Sequence, residues 1–384
     1  MCKLQEILRA GFAAFTQHQG TRRAVHRWAA AVMACRTAAL GGHLWRCPAG
    51  HVHRVQYNSC KHRACPQCGG LASEQWLQRL RARLLACDYY HLVFTVPHEL
   101  NRLWQWNRVA FGELLLQTVR ETLLTLTADP HWLGAQVGLV LSLHTWGRSL
   151  AVHPHVHALI TGGGWTPAGW KATRRGYLLP MAVVLALFRG KLVAHLQQEL
   201  CGGRLALPPD THRAVWHTLV AQLRRRHWNV HLAGCYAHGR GVGTYLARYV
   251  RGGPLKASQL LAHRDGQVTF RYTDHRDARS KVMRLSTEDF IARLAEHVPE
   301  PGFRMVRHIG LLAPGNRARL AACRQQLGML PSSAAPPLTA AVFLERLGLA
   351  PLTTCPICGQ PLVRIPLERH RAPPPAAGTW LHAA

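Results

Sequence analysis

His153-Pro-His-Val-His-Ala-Leu-Ile-Thr161 is the stretch on which the fold turns. It reads as a strand, and in a strand His155 and His157, two residues apart, point to the same side of the sheet. Pro154 precedes the triplet's core, and Gly162-Gly163-Gly164 after it reads as a turn. Working outward, Val137 to Trp146 reads as a neighbouring strand joined through a turn at Gly147-Arg148-Ser149. His91-Leu-Val-Phe-Thr-Val96, stopped by Pro97, reads as a third strand, and Trp228 to Ala233 as another. A hairpin is expected from Val268 to Tyr272 and Lys281 to Leu285. Helical spacing predicts helices over most of 1–45, from the N-cap Ser73 to Leu85, and over 99–127, 181–200 and 211–226. A short helix is expected from Thr244 to Arg251, ended by Gly252-Gly253-Pro254.

The chain has 384 residues, with 47 Lys and Arg against 18 Asp and Glu, a formal net charge of +29. Such an excess repels itself in the folded state and implies a polyanionic partner, for which nucleic acid is the leading choice. The opening Met1-Cys-Lys-Leu-Gln-Glu6 is amphipathic rather than signal-like, and the apolar run Met181 to Phe188 is too short to span a bilayer. A cytoplasmic, nucleoid-associated protein with reduced cysteines is expected, its clustered cysteines serving as metal ligands. Cys2, Cys35, Cys87, Cys201, Cys235 and Cys323 stand alone in sequence and read as ordinary buried thiols. No Gly-rich phosphate loop ending in Lys-Ser or Lys-Thr is present, so no nucleotide cofactor is expected.

Cys47-Pro-Ala-Gly-His51 and Cys65-Pro-Gln-Cys68, with Cys60 between them, have the spacing of a structural zinc site. Position 50 is Gly where a second knuckle Cys would stand, so the fourth ligand beside Cys47, Cys65 and Cys68 is His51 or Cys60. Cys355-Pro-Ile-Cys358 is a further knuckle, with Cys323, His370 and His382 as candidate companions.

Two imidazoles on one strand face can hold a divalent ion that acts as a Lewis acid on a phosphoryl oxygen. The pattern alone discriminates poorly, since His51-Val52-His53 also fits it. Tyr245-Leu-Ala-Arg-Tyr249 adds two phenols one helical turn apart, and Arg248 and Arg251 beside them suit phosphates. A phenol leaves more readily than an alkyl alcohol, which suits a reversible covalent phosphodiester. Between Pro130 and Gln198 there is no Asp or Glu, so a third ligand drawn from the two strands is neutral, with His144 favoured and Gln136 the alternative.

The order of these motifs, closed by Val306-Arg-His-Ile-Gly310, resembles the paired-tyrosine HUH transposases of rolling-circle insertion sequences, the insertion-sequence-ninety-one type. The resemblance covers about residues 20 to 315. It implies an α+β fold in which a central antiparallel sheet is flanked by helices, with a helical zinc-binding domain before it. The expected divisions are 1–88 for the zinc-binding, DNA-binding domain, 89–312 for the catalytic domain, and 313–384 for a helix, a Pro-rich linker, the second knuckle and a tail. It further implies a catalytic Mg²⁺ or Mn²⁺ on His155 and His157, nucleophiles at Tyr245 and Tyr249, a 5′-phosphotyrosine intermediate, and single-stranded or hairpin DNA as partner. Gly50 departs from the family pattern, which bears on the zinc ligands. The rivals are a plasmid replication initiator or relaxase of the same chemistry and a non-enzymatic, zinc-dependent DNA-binding regulator.

Overall fold

The alternation around His157 builds the middle of an antiparallel sheet. The computed structural model describes residues 3–18, 20–51, 53–174, 178–237, 241–242, 253–274, 277–330, 336–348 and 353–369. The sheet contains β3 (Tyr89–Thr95), β4 (Gln136–Trp146), β5 (Val152–Thr166), β7 (Asn229–Tyr236) and β11 (Val306–Gly310), in the order β11-β4-β5-β3-β7. Every neighbouring pair is antiparallel. With the helices described below, this makes the chain an α+β protein.

The two faces of the sheet follow from its register. Val156 lies opposite Leu143 and Phe94, Ala158 opposite Leu141 and Leu92, and Ile160 opposite Leu139 and Tyr90. These side chains form the main apolar core together with α5 (Arg108–Ala128), α6 (Met181–Cys201) and the shorter α7 (Arg213–Arg225). Burial of such a face against two long helices is the dominant driving force for the fold. The one-residue offset puts His155, His157 and Leu159 on the other face. Near Leu159 that face is covered by a second cluster, which includes Val140, Tyr89, Val242, Leu80 of α3 (Gly70–Arg81) and Cys323 of α9 (Arg317–Gln326).

Two elements differ from their sequence expectation for local reasons. The triple glycine is not a turn. The strand runs on to Thr166 and then pairs with β6 (Gly169–Ala172). A Cβ at Gly162 would meet the Asp88 carbonyl oxygen at 2.8 Å, and one at Gly164 the Gln136 carbonyl oxygen at 2.7 Å. Small residues are therefore required where β5 passes close to its neighbours. The helix expected over 99–127 is broken at Asn107 into α4 (Asn101–Trp106) and α5. The Asn107 side chain donates to the Leu103 and Ala206 carbonyls at 2.9 and 2.7 Å and accepts from the Ala206 N–H at 2.8 Å.

The first helices, α1 (Leu4–His18) and α2 (Arg23–Ala34), share a core with residues far along the chain. Their partners are the antiparallel sheet of β8 (Leu260–Arg264), β9 (Gln267–Thr273) and β10 (Ser280–Ser286) and the helix α8 (Thr287–Glu296). The helix α1 buries Leu4, Ile7, Leu8, Gly11 and Phe15, a stripe at helical spacing. A Cβ on Gly11 would sit 2.4 Å from Thr287 Cγ2, so glycine sets the close approach of α1 to α8. The helix α8 starts at Ser286, whose hydroxyl accepts from the Asp289 N–H at 3.0 Å. Arg22 of the segment before α2 pairs with Glu300 and donates to the Ala295 and Val298 carbonyls.

A third small sheet joins the two ends of the described chain. The hairpin of β1 (Gly42–Arg46) and β2 (His53–Tyr57) accepts β12 (Val363–Leu367), which pairs antiparallel with β1 from Gly42↔Leu367 to Arg46↔Val363. Among the described residues no helix is long and apolar enough to cross a membrane.

Candidate metal centres

On the polar face of the main sheet, His144 of β4 lies directly opposite His155 of β5. The same parity adds His91 of β3, His231 of β7 and His308 of β11, because Leu159 pairs with His91, Val93 with His231, and Val140 with His308. Three of these, His144, His155 and His157, bring one ring nitrogen each within 4.8 Å of one another. His155 Nε2 and His157 Nε2 are 3.1 Å apart. Neighbouring ligands at 2.1 Å from one ion are separated by about 3.0 Å in an octahedron and 3.4 Å in a tetrahedron, so the spacing fits a shared ion.

The hydrogen bonds fix which nitrogens are available. His155 Nδ1 lies 2.7 Å from the His153 carbonyl, which can only accept, so Nδ1 carries the proton and Nε2 keeps its lone pair. His157 Nδ1 lies 2.9 Å from His91 Nε2, and the two rings stack at 5.1 Å. Burial pushes the His155 and His91 pKa values down to about 4 and His157 lower still, so all three rings are neutral at pH 7. Neutral imidazole is the form that binds metal. The His144 ring lies 4.4 Å from that of His157 and stacks on Trp146 at 4.6 Å. Gln136, the alternative third ligand, lies at the other end of β4 and accepts from Arg319 at 2.8 Å. Tyr245, Tyr249, Arg248 and Arg251 lie outside the described residues.

The cysteines of the N-terminal region do not form the single set expected from spacing; the structure divides them between two clusters. Cys60, Cys65 and Cys68 meet Cys35, not Cys47 or His51. Cys60 Sγ is 3.6 Å from Cys68 Sγ, and Cys65 Sγ is 3.8 Å from Cys35 Sγ. Sulfurs at 2.3 Å from a central zinc are about 3.8 Å apart in a tetrahedron, so this donor set fits zinc. Cys60 and Cys65 hydrogen-bond Cys68 and hold its thiol far below the ordinary range, while the Cys60 N–H faces Cys35 Sγ at 3.5 Å. Cys35 is therefore a cluster member rather than an isolated core thiol, and Cys201 and Cys235 are exposed rather than buried. The sequence signal for Cys35 is arithmetic: Cys60, Cys65 and Cys68 need a fourth donor, and Cys35 closes α2 upstream of them. Cys47 and His51 lie instead with Cys355 and Cys358.

Two family models match the chain. One, described as "Putative transposase", matches residues 138–319, and the other, "Transposase zinc-binding domain", matches residues 7–96. The latter and the four-cysteine cluster together support a structural zinc. The chain is 39% identical over 365 residues to "Putative transposase y4qJ" of Sinorhizobium fredii, covering 92% of this chain and 91% of that protein. It is 33% identical over 296 residues to the transposase for insertion sequence element IS801 of Pseudomonas savastanoi pv. phaseolicola, covering 73% of this chain and 68% of that one. No solved structure matches the chain. On this likeness along most of its length, the chain belongs to the IS91 family of transposases and carries that family's zinc-binding domain on its N-terminal side.

Proposed function

We propose that this transposase is a metal-dependent HUH endonuclease and strand transferase. It nicks and rejoins single-stranded DNA, or the hairpin ends of a mobile element, through a 5′-phosphotyrosine intermediate in rolling-circle transposition. The observation that carries this reading is the meeting of His155 Nε2 and His157 Nε2 at 3.1 Å, with His144 beside them. With His155 Nε2 deprotonated, that pair has two consistent states. Either His157 Nε2–H donates to His155 and His157 Nδ1 accepts from His91, or both Nε2 atoms keep lone pairs free for a cation and His157 Nδ1–H donates to His91. In that second state His144, His155 and His157 would hold the ion and His91 would orient His157 from behind. A bound Mg²⁺ or Mn²⁺ would supply Lewis-acid polarisation of the scissile phosphate.

Tyr245 and Tyr249 are the nucleophiles in this reading. A phenolate oxygen attacks phosphorus, the phosphorus–3′-oxygen bond breaks, and the released 3′-oxygen takes a proton to become a hydroxyl. The DNA remains attached by a 5′-phosphotyrosine, and the second tyrosine permits a second cleavage. The chain enters the tyrosine segment from Val242, which is buried in the same apolar cluster as Leu159 and Val140 on the histidine face. Arg248 and Arg251 are assigned to the DNA backbone, and the net charge of +29 suits a polyanionic substrate held in the nucleoid.

The test is incubation with Mn²⁺ or Mg²⁺ and labelled single strands from the flanks of the gene. A covalent protein–DNA adduct that vanishes with chelator and in the Tyr245→Phe, Tyr249→Phe double variant is the expected result. Binding without any adduct across all flanking sequences would reject the mechanism.

A further inference from the structure

The pairing of the first knuckle with the last carries a second metal site. Cys47 Sγ lies 3.6 Å from Cys358 Sγ and 3.8 Å from His51 Nδ1, and the four donors of Cys47, His51, Cys355 and Cys358 lie within 4.8 Å of one another. A tetrahedral zinc with sulfur at 2.3 Å and nitrogen at 2.0–2.1 Å sets those two separations at about 3.8 and 3.6 Å. Two independent features prepare the arrangement. At Cys355 the turn is closed by the Gly359 N–H on the Cys355 carbonyl at 2.9 Å, with Gly359 at φ +70°. At Cys47 the equivalent turn is closed one residue earlier, by the Gly50 N–H on the Cys47 carbonyl at 3.0 Å, with Gly50 at φ +80°. The left-handed glycine thus takes the place of a second cysteine, and the longer side chain of His51, one residue on, reaches back to the site.

The C-terminal half is held in place by contacts that owe nothing to a metal. Beyond the β1–β12 ladder, Gln78 donates to the Pro336 carbonyl at 2.8 Å and accepts from the Leu338 N–H at 3.0 Å. Gln75 donates to the Leu338 carbonyl at 2.8 Å. The segment therefore crosses α3 before it reaches the hairpin.

We propose that Cys47, His51, Cys355 and Cys358 bind a second structural zinc, which fastens the C-terminal segment onto the N-terminal hairpin. The matched zinc-binding domain ends at residue 96, so half of this donor set lies outside it. Three thiolates and one imidazole, with Leu362 and Trp45 packed alongside, favour a borderline-soft ion in a closed site. The ion ties together segments whose cysteines are 311 residues apart.

Zinc content of the purified full-length protein decides the matter. The Cys355→Ser, Cys358→Ser variant should contain one zinc equivalent less than the parent while keeping the zinc of the Cys35 cluster. An unchanged content overturns the proposal. Should this variant lose all its zinc through misfolding, His51→Ala provides the second measurement, because His51 is exposed at the rim of the site. Released zinc is then followed with a colorimetric chelator. One equivalent should leave at least tenfold faster than from the parent, and His51→Cys should restore slow release. Identical release from parent and His51→Ala would reject the site.

Discussion

His91 Nε2 stands 2.9 Å from His157 Nδ1, so a strand outside the His-Val-His triplet determines how the triplet's second ring is presented. Behind a metal-ligating imidazole such a partner fixes the tautomer and the ring orientation. His91→Phe, which keeps the stacking surface but removes the nitrogen, should weaken metal-dependent cleavage by about 10–100-fold. Raising the Mn²⁺ concentration should recover part of it, and His91→Gln, which retains a polar group, should fall between. Cleavage measured against metal concentration separates this positioning role from general damage, which no amount of metal would repair.

The donor set His144, His155 and His157 contains no carboxylate. Mg²⁺ prefers oxygen ligands and dehydrates reluctantly, whereas imidazole suits transition ions better. At equal concentration Mn²⁺ should support adduct formation roughly tenfold or more above Mg²⁺. His144→Asp should narrow that gap by giving Mg²⁺ one oxygen ligand. Equal activity with both ions in the parent would show that the three nitrogens do not form the shell.

Cys35→Ser should remove the zinc of the first cluster although residue 35 lies outside both knuckles. Loss of a structural metal is among the few single-residue changes that cost on the order of 3–5 kcal/mol or more. Zinc analysis together with thermal unfolding tests this. The effect should exceed that of Cys87→Ser, a buried thiol in no metal-ligand group among the described residues.

Arg108 and Glu296 join the main sheet domain to α8, through a 2.7 Å ion pair and a 2.8 Å bond from Arg108 to the Glu296 carbonyl. Burial by itself would raise the Glu296 pKa. The Arg108 charge and hydrogen bonds from Gln105 and Arg108 outweigh it and hold the carboxyl below its ordinary 4.5. A depressed carboxylate pKa stabilises the folded state above about pH 4.5, and that contribution is lost as pH falls through the folded value. Glu296→Gln should therefore flatten the acid limb of stability, and Arg108→Met should cost about 1–3 kcal/mol at pH 7. Denaturant melts at pH 7 and below pH 4.5 provide the comparison.

The strands β3, β4 and β5 were legible because each buries one face completely and so keeps a strict alternation or a continuous apolar run. The strands β1 and β2 were not, since every residue of β2 is exposed and β1 buries only Gly42 outright. They are held by ladder bonds and flanked by the clustered Cys47 and His51, which leave no hydrophobic period to read. The His155–His157 pair was visible from spacing. His91, His231 and His308 join the same face through register across four strand pairs, which a linear sequence does not display. The cysteines divide between two clusters for a related reason. Cys47 is nearer in sequence to Cys60 than to Cys358, but the knuckles pair by fold rather than by proximity along the chain. Gly162 to Gly164 read as a turn because glycine marks changes of direction as well as close backbone approach, and only the neighbouring strands show which applies.

The ladder between β1 and β12 has a consequence for synthesis. A ribosome that has made the first hairpin must add roughly three hundred more residues before the third strand exists, so β1 leaves the exit tunnel with an unpaired edge. Closing so long a loop costs little more than closing a moderate one, because the entropy grows only with the logarithm of length, about 0.6 kcal/mol per doubling. The delay is therefore one of time rather than of equilibrium. A product cut short between Gly310 and Val363 would keep the whole main sheet yet carry an open-edged hairpin. Completion of the ribbon thus distinguishes a finished polypeptide from a truncated one.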